Sequence, residues 1–236
     1  MRLNKNILMG VFILMFVMSI SASDWARHDK YLEINKLLPP PPIHAAASIT
    51  SSSESGRIVF IGNSIVERWT KSRPQFFVES GIIGRGISGQ VSAQMLARFQ
   101  QDVVSLQPSI VIIMAGTNDI AQNNGEIELS YVVENVKSMC EIAKYNGIYP
   151  IICSVLPAHS FYWRPNTKPE EEIVALNRML QLYASENNIK YIDFYSLLDD
   201  GMGGMPFIYA EDGVHPSTVA YSKMEELIYK TIFSNY

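Results

Sequence analysis

Cysteine is scarce in this chain, with two in 236 residues. Cys140 falls in a predicted helix and Cys153 in a predicted strand, so each reads as a buried apolar residue rather than half of a disulfide. Neither has a partner at ligand spacing and no other metal-ligand cluster appears, so no metal is expected; no cofactor is expected either. No cysteine lies near residues 19–23, which leaves a lipid anchor through cysteine unsupported. Basic residues are also few: 19 Lys and Arg stand against 23 Asp and Glu, for a net charge of −4. With no basic stripe to supply phosphate contacts, no nucleic-acid partner is expected. Long apolar runs are absent beyond residue 20. The one run, residues 7–20, is shorter than the roughly 20 residues a spanning helix needs, so a stable membrane anchor is not expected. No internal repeat is present, and the length suits one sizeable core rather than two.

What is present begins with an export signal over residues 1–23: Arg2 and Lys5, then the apolar run, then the small residues 19–23. Its removal takes two positive charges, moving the net charge from −4 to −6, and implies a periplasmic or extracellular location. Residues 24–56 form an N-terminal extension. "DWARHDKYLEINKLL" predicts an amphipathic helix beginning near Asp24, "PPPP" at 39–42 ends it, and a Pro/Ser-rich linker runs to Gly56.

Residues 57–236 carry the domain. "IVFI", "SIVIIMAG", "IYPIICSVL" and "IKYIDFY" are short, β-branched and not alternating, as in strands buried on both faces. A weaker strand is predicted around Gly81 to Gly84. Between the strands, apolar residues recur at helical spacing: Val91, Met95, Phe99 and Val103; Val132, Val136, Met139 and Ala143; Ile173, Leu176, Leu180 and Tyr183. This alternation predicts an α/β fold, a parallel sheet with helices on both faces. Ligands of such sheets bind beyond the carboxyl ends of the strands. The polar clusters "GNS", "GRGISGQ", "AGTND" and "LPAHSFYW" each follow a predicted strand, and "DGVHPS" precedes the last helix.

Ser64 sits two residues beyond the first strand. It is either a helix cap or a nucleophile, and only partners can activate it. Of four histidines, His28 and His44 read as solvated surface. His215 has Asp212 three residues before it, a spacing that lets the carboxylate hold the imidazole while the other ring nitrogen takes a proton. Pro216 is placed to start the final helix. Attack on a carbonyl needs preplaced donors for the developing oxyanion. Candidates are the N–H of Gly89, before a helix, and the side-chain amide of Asn118. Each has an ordinary turn or cap explanation taken singly, and the four together on one rim favour chemistry.

These residues resemble the SGNH hydrolases, the GDSL-type esterases and acylhydrolases, from about Ile58 to the C-terminus. "IGNSIVERW" is similar to the block of the nucleophile, Ser64. "GRGISGQ" and "AGTND" are similar to the blocks that supply oxyanion donors, Gly89 and Asn118, beside the N–H of Ser64. "DGVHPS" is similar to the block of Asp212 and His215. The resemblance implies a flavodoxin-like three-layer α/β/α sandwich with a five-stranded parallel sheet, and hydrolysis of short acyl esters through an acyl-enzyme. Within the family, "RGISGQ", "GTNDIA" and "SVLPA" look most like the branch similar to platelet-activating-factor acetylhydrolase. Many exported bacterial members there remove acyl groups, often acetyl, from carbohydrates. A small-molecule or glycan acyl ester is the expected partner. One position departs from the family pattern: Asn63 stands where Asp usually precedes the serine. Asn63, His159 and Trp163 are candidate substrate contacts, and "GMGGM" near Gly201 predicts a pliable loop beside the site.

Three other readings compete. Gly84, Gly86 and Gly89 match G-x-G-x-x-G, which admits a flavin or nucleotide site, but they follow the weak strand rather than the clear first one. A carbohydrate-binding protein on the same fold, without catalysis, is a second; Tyr162 and Trp163 would stack on a sugar face. The third, an α/β-hydrolase, expects G-x-S-x-G around the serine, where this chain has "GNSIV".

Overall fold

The computed structural model describes residues 24–40, 56–165 and 167–233. The proposed signal, His44 and most of the linker lie outside these residues. Five parallel strands form one sheet: β1 Ile58–Gly62, β2 Ile82–Gly86, β3 Ile110–Ile113, β4 Tyr149–Cys153 and β5 Lys190–Ile192. Their order is β2-β1-β3-β4-β5. The chain enters the sheet at β1, steps outward to the edge strand β2, then returns past β1 to add β3, β4 and β5 on the other side. That reversal leaves a crevice between the carboxyl ends of β1 and β3, where open α/β sheets bind ligands.

The helices are α1 Asp29–Lys36, α2 Ser64–Ser72, α3 Pro74–Ser80, α4 Ser92–Ala97, α5 Phe99–Asp102, α6 Thr117–Ile120, α7 Leu129–Tyr145, α8 Pro169–Glu186, α9 Phe194–Leu198 and α10 Thr218–Ile228. Side chains alternate across the strands, so each strand feeds two cores. Val59 and Ile61 of β1, with Val111 and Ile113 of β3, face Met95, Phe99, Val132, Val136, Ile173 and Leu176. Ile58, Phe60, Ile110 and Ile112 face Trp69, Phe76, Tyr221 and Met224. The result is the three-layer α/β/α sandwich. Trp69 centres the second core: its ring stacks on Tyr221 at 4.9 Å and Phe76 at 5.6 Å, and its N–H donates to Glu225. Cys140 belongs to the first core and Cys153 to the second, and both are free thiols on opposite faces of the sheet.

Several expectations shift. The N-terminal helix begins at Asp29, not Asp24, because Arg27 adopts a left-handed backbone with φ of 56°. The carboxylate of Asp24 instead accepts the N–H groups of His28 and Asp29. His28 is not a free surface residue, since its ring meets Asp24 and the carbonyl of Ala97. The apolar row Val91 to Val103 is buried as expected, but on two short helices broken at Arg98. The last helix begins at Thr218 with Ser217 as its cap, so Pro216 precedes it rather than opening it.

The first turn of α2 passes over the end of β2. A Cβ on Gly86 would lie 2.2 Å from the backbone nitrogen of Glu67 and 2.7 Å from the carbonyl oxygen of Asn63. Gly84 is similarly filled by Thr70. These two glycines therefore serve helix packing, and a pyrophosphate has no approach to them. Gly86→Ala should destabilise the protein by about 1–3 kcal/mol in urea or thermal unfolding, because backbone rather than a side chain must move. An unchanged midpoint would show that α2 is free to shift.

Candidate active site

β1 ends at Gly62, where a Cβ would collide with Val66 at 2.5 Å, so the chain can turn tightly into α2. Asn63 caps that helix: its Oδ1 accepts the N–H of Ile65 at 2.9 Å. Ser64 is the first helical residue, placing its hydroxyl at the positive end of the α2 dipole. From the opposite end of the domain, His215 brings Nε2 to 2.9 Å from Ser64 Oγ. Its Nδ1 lies 2.7 Å from Asp212 Oδ2. The other carboxylate oxygen of Asp212 accepts the N–H groups of Val214 and His215, at 3.0 and 2.7 Å. The turn that allows this has Gly213 at φ 74°. With Nδ1–H donating to Asp212, Nε2 is left to accept from the serine hydroxyl.

Burial pushes His215 below its ordinary imidazole pKa, and the bond to Asp212 pulls only partly back. Burial acts to raise Asp212, but the hydrogen bonds from His215 and Val214 outweigh it and hold the carboxyl below its ordinary value. At near-neutral pH the pair is therefore a carboxylate beside a neutral imidazole. Arg68 lies 3.5 Å from Asp212, half exposed, and contributes little.

The second and third polar clusters are joined directly. Residues 87–90 form a turn closed from Gln90 N–H to Ile87 O, with Gly89 at φ 80° and open space where a Cβ would stand. Asn118 opens from the first turn of α6 and donates from Nδ2 to Gln90 O at 2.9 Å. Next to it, buried Asp119 accepts both the N–H and the hydroxyl of Ser92. Burial raises the carboxyl of Asp119 against those bonds.

Of the expected substrate contacts, Trp163 stands near His215, its ring centroid 6.4 Å from that of the imidazole. Asn63 does not present itself to a ligand: it is fully buried, serving as the helix cap, and its Nδ2 has no partner among the described residues. His159 has both ring nitrogens committed, Nε2 to Asp200 at 2.9 Å and Nδ1 to Glu170 at 3.4 Å. The ring also packs on Gly204, where any Cβ would clash. The "GMGGM" loop is correspondingly tied down, with Asp199 and Asp200 accepting the N–H groups of Met202, Gly203 and Gly204.

Sequence reasoning did not single out three residues that build the site. Asn123, in what reads as an ordinary "QNNG" turn, bonds both Asn118 and Gly89. Arg98, fully buried, donates to the carbonyls of Gly62 and Arg85, to Gln90 and to Asp102. Glu67 accepts the N–H and hydroxyl of Ser88, each at 2.7 Å, and pairs with Lys30 and Lys71. Nothing in the sequence marks them: Asn123 lies in a turn, and Glu67 and Arg98 are charged residues, one on a short helix and one between two. Among the described residues, no three His, Cys, Asp or Glu side chains gather to hold a metal ion, and no helix is long and apolar enough to cross a membrane.

Residues 60–223 match the model of the GDSL-like lipase/acylhydrolase family. The chain belongs to that family. Among relatives of this GDSL chain, the esterase TesA of Pseudomonas aeruginosa is 23% identical over 201 residues, covering 80% of this chain and 93% of that one. An acetylxylan esterase of Geobacillus stearothermophilus is 24% identical over 148 residues, 59% of this chain and 66% of that one. A crystal structure of a Bacteroides fragilis protein assigned as an acylhydrolase superposes with a TM-score of 0.82 at 42% identity, covering 89% and 97% of the two chains. The fold and family expectations are thereby met, and the family is one of ester hydrolases.

In this GDSL domain Glu67 anchors the Gly89 turn to α2. Burial alone would raise its carboxyl, but Lys30, Lys71 and the two donors of Ser88 lower it from 4.5 to about 2. A depressed folded pKa contributes stability above the unfolded value, lost as pH falls towards the folded one. The difference in Tm between the parent and Glu67→Gln should therefore be widest near neutral pH and close as the pH drops from 4.5 towards 2. A gap that stays constant across that range would contradict the anchor.

Proposed function

We propose that this protein is a serine carboxylic-ester hydrolase working through an acyl-enzyme. One observation carries the reading: within a family of esterases, the hydroxyl at the start of α2, the imidazole of His215 and the carboxylate of Asp212 form one hydrogen-bonded line. Ser64 attacks the ester carbonyl as His215 takes its proton. The alcohol departs with that proton. Water, deprotonated by the same imidazole, then attacks the acyl-enzyme and frees the acid and Ser64. Asp212 fixes the tautomer and offsets the charge of the imidazolium. The oxyanion is received by the N–H groups of Ser64 and Gly89 and by the amide of Asn118.

The substrate we infer is a short acyl ester, acetyl by preference, on a carbohydrate. Likeness to an acetylxylan esterase supports the acyl group. The half-exposed indole of Trp163 beside His215 supports a sugar, since an aromatic face suits the apolar face of a pyranose. The export signal read in residues 1–23 would place the enzyme where such glycans are met.

Ser64→Ala should abolish hydrolysis of p-nitrophenyl acetate and of acetylated xylo-oligosaccharides while the unfolding midpoint holds, and Asn118→Ala should lower kcat by about 10²–10³. Parental turnover in either variant would remove that residue from the mechanism. The base must be neutral to act, and burial lowers the pKa of His215, so kcat/KM should rise with pH through a midpoint below 6.5. Asp212→Asn removes the partner that raises it; the midpoint should move lower still as the plateau falls. A midpoint above 6.5 in the parent would show that the imidazole is not the buried base described.

A further inference from the structure

Asn118 can supply an oxyanion donor only if its amide is turned the right way. A primary amide is nearly symmetric in shape, and its two orientations differ in whether NH₂ or oxygen meets a given neighbour. Here Nδ2 donates one hydrogen to Gln90 O, and the second has no protein acceptor among the described residues. What holds the other end is Asn123, whose Nδ2 donates to Asn118 Oδ1 at 2.9 Å. Its second amide hydrogen goes to Gly89 O at 3.2 Å. One side chain thus bonds both clusters that the oxyanion reading invokes.

The orientation of Asn123 is settled in turn by Trp163. The indole N–H donates to Asn123 Oδ1 at 2.8 Å. An indole nitrogen can donate and never accept, so it dictates the polarity of everything bonded beyond it. With Asn123 oxygen facing the indole, its NH₂ must face Asn118, and the oxygen of Asn118 must face that NH₂. A reversed Asn118 would set oxygen against Gln90 O and NH₂ against NH₂. The turn that carries Asn123 is fastened to the same place. Its backbone N–H donates to Asn118 O at 3.0 Å, between Gln122 at φ 54° and Gly125 at φ 91°.

We propose that Asn123 is a positioning residue that fixes the Asn118 amide as a donor toward the reacting carbonyl, with Trp163 setting its orientation. The inference rests on the oxyanion assignment above. It adds a second role for Trp163, which links the wall beside His215 to the donors, so a substrate pressing on the indole acts on the same chain of bonds.

The test is a double-mutant cycle on p-nitrophenyl acetate hydrolysis, with kcat and KM measured separately. Asn123→Asp is isosteric and still accepts from the indole, but it has no N–H to give and faces two oxygens. It should lower kcat by about tenfold or more with KM within about threefold, and should cost less than about threefold further in an Asn118→Ala background. Asn123→Ala, which adds no charge, should show a smaller loss with the same non-additivity. A general loss of packing would instead cost both backgrounds alike, and that result overturns the proposal, as does a loss confined to KM. If Asn118→Ala loses activity while Asn123→Asp keeps the parental kcat, only the positioning role falls. If Asn118→Ala itself keeps the parental kcat, the oxyanion assignment fails and takes this inference with it.

Discussion

A hydroxyl at the start of α2 and an imidazole 151 positions later meet at 2.9 Å, and two unlike local structures hold the two ends. The serine end is rigid because α2 is clamped. Asn63 caps it, Gly86 lets it lie on β2 with no space between, and Trp69 fixes its far side among Phe76, Tyr221 and Glu225. The histidine end is a short turn whose geometry is set by one carboxylate. Asp212 takes two backbone N–H groups with one oxygen and the ring nitrogen with the other, so the same residue shapes the turn and aims the imidazole.

Between these ends the strand termini are bound by polar groups that an apolar sheet would not otherwise tolerate. Arg98 is fully buried, which costs several kcal/mol of desolvation unless every donor is used. Its guanidinium reaches Gly62 O, Arg85 O, Gln90 and Asp102, tying the ends of β1 and β2 to the turn that contains Gly89. Burial lowers its pKa, yet Asp102 beside it supports the charge. The N-terminal extension joins the same network. Ala26 O accepts from Gln90, Asn35 meets Arg85 and Asp102, and Lys30 reaches Glu67. Residues 24–40 are thus part of the scaffold around the second polar cluster rather than a detached leader. Asn63 fits here too: its cap bond needs only an acceptor, which amide and carboxylate both provide, and its Nδ2 has no partner among the described residues.

The sheet was legible because buried parallel strands are written as uninterrupted β-branched runs, and "IVFI" or "SIVII" can hardly be anything else. Ser64, Asn118, Asp212 and His215 were legible as candidates because ester hydrolysis would call for those residue types at strand ends, and the structure brings Ser64 to His215 and His215 to Asp212. Less was readable where function depends on long-range pairing of ordinary polar residues. Asn123 looks like a turn asparagine, Glu67 like an exposed helix glutamate, and Arg98 like a solvated one; each acquires its role from a partner 5 to 36 residues away. His159 shows the converse. Its loop position suggested a ligand contact, whereas Asp200 and Glu170, 41 and 11 residues on, occupy both of its nitrogens. The break at Arg98 left no trace because the apolar spacing continues undisturbed across it.

An acyl-enzyme route requires Ser64 to be a nucleophile that His215 activates. Labelling with a fluorophosphonate, read by intact mass and peptide mapping, tests this most directly. A single adduct is expected, on Ser64, forming orders of magnitude more slowly in His215→Ala protein. A parent that stays unmodified, an adduct on another residue, or equal labelling without the imidazole would contradict it.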